Sequence, residues 1–147
     1  MCQNPVMVDR TPAELARAAL DVLDASVVVI DRSGQIVLAN DTWRTFGEQN
    51  GAGPVVWTER NYLDECIRAA GDGEEDAAVV LAALRQVLDG RVTSRRYVYD
   101  CSSPDQERFY GVTITGLAFR DAPHAVVTHE NVTNQRFGAA VNGAVEP

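Results

Sequence analysis

Residues 26–40 constrain the fold more than any other stretch of this chain. Ser26-Val27-Val28-Val29-Ile30-Asp31 is short, β-branched and continuous, and Gln35-Ile36-Val37-Leu38-Ala39 is a second such run. A run of that length and composition reads as a buried strand. Between them, Arg32-Ser33-Gly34 has turn chemistry, with Gly34 able to take a positive φ. The two runs therefore predict a hairpin. Asn40 or Asp41 then caps a short helix through Phe46, on which Trp43 and Phe46, three residues apart, share a face.

Elements on either side complete the pattern. Thr11, Pro12 and Glu14 make a capping box, so a helix is expected from Thr11 to about Asp24. Its apolar stripe is Leu15, Ala16, Ala19, Leu20 and Leu23. Only the last turn, Leu20 and Leu23, is expected to meet the sheet core. Residues 1–10 carry no periodicity and read as a flexible N-terminus, and residues 136–147 as a flexible tail. Residues 50–54, Asn-Gly-Ala-Gly-Pro, read as a loop.

Asn61 caps a helix to about Ala70, with Tyr62, Leu63, Cys66, Ile67 and Ala70 as its stripe. A second helix runs from about Glu74 to Asp89 with acidic residues in its first turn, and Gly90 ends it. Three strands follow. In the first, Tyr97, Tyr99 and Cys101 alternate with Arg96, Val98 and Asp100. The second runs from Arg108 to Leu117, and the third from Ala125 to Glu130 after a turn at Arg120-Asp121-Ala122-Pro123. The order predicts an α+β fold: a five-stranded antiparallel sheet packed by helices on one side, preceded by an amphipathic helix.

Composition narrows the functions. A length of 147 residues, 46% of them hydrophobic and 23% charged, suits one globular domain. A net charge of −8 argues against nucleic acid and anionic lipid as partners. No apolar run approaches the length of a membrane span, and the N-terminus lacks signal-peptide features. Cys2, Cys66 and Cys101 are scattered and odd in number, which suits free thiols in a reducing cytoplasm. No nucleophile motif, phosphate loop or zinc motif is present, so no catalytic residue is assigned. Asp31 with His129 is the one acid–histidine pair worth testing. His124 and His129, five apart near one strand, face opposite sides, so no metal site is expected.

Order and motifs together resemble the PAS domain family over about Leu20 to Gln135. The hairpin matches its opening pattern of apolar strand, Asp-x-x-Gly, apolar strand, Asn, here ending at Asn40. Trp43, Phe46 and Asn50-Gly51 follow as in many bacterial members. Asn61-Tyr62-Leu63 with Cys66 and Ala69, and Tyr99-Asp100-Cys101-Ser102-Ser103-Pro104, resemble a bacterial subgroup. The closing strand runs into Asn131-Val132-Thr133 where the family has Asp-Ile-Thr, a departure at the position that joins sheet to output helix.

The resemblance implies a cytoplasmic signal-transduction sensor at residues 25–135 with a flanking helix at 11–24, and no enzymatic activity. It implies no flavin, because Cys66 sits in Asp-Glu-Cys-Ile-Arg, and no haem, because the helix from Glu74 to Asp89 has no histidine. Pocket candidates are Trp57, Tyr62, Tyr97, Tyr99, Phe109, Ile114, Val127 and His129, for a small apolar metabolite or lipid. A ligand-free module binding a signalling protein is the alternative, and a small α+β enzyme a distant third. Homodimerisation is expected through Leu15, Ala16 and Ala19, against the alternative that this helix folds back on its own sheet.

Overall fold

The hairpin forms where the two β-branched runs place it. In the computed structural model, which describes residues 4–49 and 55–135, β1 is Ser26–Asp31 and β2 is Ile36–Ala39, antiparallel, with Val28 opposite Ala39. Asp31 builds the turn. Its Oδ1 accepts from the Ser33 amide at 2.9 Å, the Ser33 hydroxyl at 2.7 Å and the Gln35 amide at 3.1 Å. Gly34 has φ 93°, and a Cβ there would meet the Leu63 Cβ at 2.3 Å. Glycine is thus required twice, for the left-handed backbone and for the close approach.

The sheet has five strands in the order β2-β1-β5-β4-β3, where β3 is Ser94–Asp100, β4 Phe109–Phe119 and β5 Ala122–Asn131. All pairings are antiparallel. Helices α2 (Asp41–Gln49), α3 (Tyr62–Gly71) and α4 (Glu75–Leu88), with a 3-10 turn at Trp57–Glu59, supply the second layer. Asn61 caps α3 as expected, accepting from the Asp64 amide at 2.8 Å. Val80, Ala83, Leu84, Val87 and Leu88 of α4 share one buried core with Val28, Ile30, Val112, Ile114, Ala125 and Val127 of the sheet. This is the predicted α+β architecture.

Three boundaries differ from expectation. Helix α1 spans Asn4–Asp21, with Pro12 inside it, rather than starting at Thr11. A capping box permits a start, but proline removes only one amide donor, and a helix can continue upstream of it. The stretch read as flexible is therefore helical from Asn4; residues 1–3 and 136–147, and the loop at 50–54, lie outside the described residues. Because α1 stops at Asp21 and the chain bends, Leu23 is exposed instead of meeting the core. Its carbonyl is used instead, accepting from the Thr42 hydroxyl at 2.6 Å.

The last turn is shorter than expected. Arg120 and Asp121 have φ 53° and 63°, the left-handed pair a two-residue hairpin needs. Pro123 lies in β5, opposite Ala118, not in the turn. It is tolerated because β1 pairs with β5 no further than His124, so at Pro123 the strand has a neighbour on one side only.

Asn40 ties the layers together and is wholly buried. Its Oδ1 accepts from the amides of Val27 (2.9 Å) and Trp43 (3.0 Å), and its Nδ2 donates to the carbonyls of Leu20 (2.7 Å) and Ala25 (3.0 Å). One side chain thus joins the end of α1, the strand β1 and the first turn of α2. Arg44 reinforces the junction by pairing with Asp41 and, at 3.4 Å, with Asp21.

Candidate functional site

Strand register decides which residues share the inner face of the sheet. Residues directly opposite one another in an antiparallel pair lie on one face. Ser26 is opposite His129, His129 is opposite Val112, and Val112 is opposite Tyr97. Val28, Val127 and Ile114 form the next row. Tyr99, Tyr110 and Asn131 form the row on the other side. Tyr97 and Tyr99 stack at 6.3 Å and Tyr99 and Tyr110 at 6.0 Å, while Arg96 bonds Thr113 on the outer face. The alternation read in the sequence holds.

His129 sits at the centre of an aromatic cluster. Its Nε2 lies 3.1 Å from the Tyr62 hydroxyl, and its ring is edge-on to Trp43 at 5.5 Å. Trp43 is in turn edge-on to Tyr62 (5.7 Å) and Trp57 (6.0 Å). Burial pushes the His129 pKa down to about 4, so the ring is neutral at physiological pH. Burial, and after it the neighbouring Cys66 and Tyr99, raises the Tyr62 phenol well above its usual value. Burial also drives the Cys66 thiol to about 11, against the opposing hydrogen bond with Tyr62. Cys66 is therefore a protonated thiol and a poor nucleophile. The indole N–H groups of Trp43 and Trp57 are buried and have no hydrogen-bond partner among the described residues.

The sequence candidates separate into three groups. Trp57, Tyr62 and His129 join the cluster around Trp43. Tyr97 and Tyr99 lie farther along the inner face, with the Tyr97 hydroxyl donating to Asp76 at 2.6 Å; that bond, with burial behind it, raises its pKa to about 12. Ile114 and Val127 are filled core positions beneath α4. Phe109 is not with them: it alternates with Tyr110 and lies on the outer face. Asp31 and His129 do not meet, because His124 is the partner opposite Asp31 and the two sit on opposite faces and ends of β1. Burial acts to raise the Asp31 carboxyl, but the bonds from Ser33 and Gln35 outweigh it and lower its pKa, as suits a turn residue. His124 lies on β5, with Nδ1 3.0 Å from the Ala122 carbonyl.

Beside the cluster lies a cleft of about 320 Å³ between α2 and the sheet. It is lined by Asp24, Ser26, Asp41, Thr42, Thr45, Phe46, Tyr110, His129 and Asn131. Of these, only His129 was a sequence candidate. The others come from four separate stretches of chain, and pairing them needs the strand register. Trp43 was also missed, though its i, i+3 relation to Phe46 was the available signal.

Helix α1 stands apart from this site. Residues 12–19 are exposed on every side, Leu15 at 64%, so the stripe is not folded onto the chain's own sheet. Among the described residues no helix is long and apolar enough to cross a membrane, and no three His, Cys, Asp or Glu side chains converge as metal ligands.

Comparison with known proteins bears on fold. No family model matches the chain. A Rhodobacter capsulatus protein described as an uncharacterized 104.1 kDa protein in the hypE 3′ region is 31% identical over 123 residues, covering 82% of this chain. The match spans only 13% of that protein's length. Among solved structures, the PAS domain of Bordetella pertussis BvgS superposes with a TM-score of 0.56 at 13% identity, covering 91% of this chain and 98% of that one. A PAS domain from Colwellia psychrerythraea gives 0.55 at 11% identity, covering 84% and 98%. A sensory box sensor histidine kinase from Vibrio cholerae gives 0.51 at 12% identity, covering 87% and 98%. The fold is PAS-like.

Proposed function

We propose that this chain is a PAS-family sensor domain of a cytoplasmic signal-transduction protein, non-catalytic, which homodimerises through α1. The observation that carries the reading is the state of α1. Its stripe, Leu15, Ala16 and Ala19, is uncovered, yet its C-terminal end is fastened by Asn40 to β1 and α2. Exposed apolar surface of this kind is normally covered by a partner, and alanines let two helices approach closely. A change at the α2 cleft reaches α1 through Asn40, whose four bonds span both elements. A small ligand enters this reading at the cleft rather than in the core, where Ile114 and Val127 are closed off by α4.

Light scattering on the full chain and on Leu15→Glu tests it. A dimer that becomes a monomer in the variant supports the reading; a monomeric wild type, or a dimer indifferent to the charge, overturns it. A ligand-free interaction module is the second reading, favoured by Val98, Leu117 and Phe119 (53% exposed) on the outer face of the sheet. It gains if Phe119→Glu, and not Leu15→Glu, breaks the assembly.

A further inference from the structure

The cleft beside His129 has a charge pattern the sequence did not reveal. Asp24 and Asp41 are at its edge, and no arginine lines it. Asp41 is engaged by Arg44, which it shares with Asp21. Asp24 makes no ion pair or hydrogen bond to any of the described residues, and it lines both this cleft and the adjoining polar groove. The walls are aromatic: Phe46 and Tyr110 stand 5.9 Å apart at 50°. The floor holds Ser26, which is buried, and the imidazole of His129, uncharged at neutral pH and so not repelling a cation.

We propose that this cleft binds a small organic monocation, an ammonium on an apolar or aromatic body, with the charge against Asp24 and the body against the contacting rings of Phe46 and Tyr110. Ring faces add attraction for a cation, and a carboxylate without a partner among the described residues supplies the countercharge. A volume of about 320 Å³ has room for a single-ring amine. An anion would meet Asp24, and among the described residues that line the cleft there is no arginine to compensate. This assignment rests on reading the cleft as the sensory site, and it names the ligand class for it.

Three probes of one size isolate the charge: phenethylammonium, 2-phenylethanol and phenylacetate, titrated into the full chain and followed by amide chemical shifts. The cation is expected to bind, shifting resonances of Ser26, Thr45 and Tyr110, with phenylacetate weaker by about tenfold or more. Asp24→Asn should weaken the cation about fivefold, and the exposed Thr45→Trp should abolish binding by filling the cleft. Equal binding of the three probes, binding that survives Thr45→Trp, or no binding of the cation overturns the proposal. The dimer reading fails separately: it is decided by Leu15→Glu, which does not touch the cleft.

Discussion

Replacing Asn40 by alanine removes four hydrogen bonds from a side chain with no exposed surface. Losing its cap on α2 costs about 1 kcal/mol. The Val27 amide is buried and has no other acceptor in the junction, and an orphaned buried donor costs about 1–3 kcal/mol. The carbonyls of Leu20 and Ala25 are partly buried, and losing a donor there costs about 0.5 kcal/mol each. Together the expected destabilisation is about 3–5 kcal/mol, measured as the shift in urea midpoint at unchanged m. The last turn of α1 should also exchange its amides faster, since its Leu20 carbonyl loses its anchor. A loss below about 1 kcal/mol would refute the view that Asn40 holds α1, β1 and α2 together.

Two further outcomes follow from single residues. The folded pKa of His129 is depressed to about 4 from the usual 6.5, so the unfolded chain binds the extra proton between these values. Stability is then full above pH 6.5 and falls by about 3 kcal/mol as pH drops to 4; urea titrations across that range, with His129→Gln as a flattened control, check it. Gly34→Ala combines a φ of 93° with a Cβ contact at 2.3 Å, and should cost more than about 2 kcal/mol in the same titration.

What could be read from the chain follows the range of the interactions. The hairpin, the Asn61 cap and the Tyr97–Tyr99 alternation are local, and each residue type states its own geometry. The Thr11 capping box is local too, yet it misplaced the start of α1, because a cap allows a helix to begin without compelling it. Pro123 misled for a tertiary reason: whether a strand tolerates proline depends on how far its neighbour extends. The site was the least legible part. His129 and Tyr62 are 67 residues apart, and Asn40 reaches back 20 residues to Leu20. Phe109 and Tyr110 are adjacent in sequence, and only register tells which one faces the helices.

The claim that α1 is the partner surface is tested most directly by hydrogen exchange at several protein concentrations. Dimerisation protects by mass action, so amides on residues 12–19 should gain protection as concentration rises, while the core strands stay unchanged. Leu15→Glu should abolish that concentration dependence. Exchange in α1 that is the same at every concentration would contradict the account.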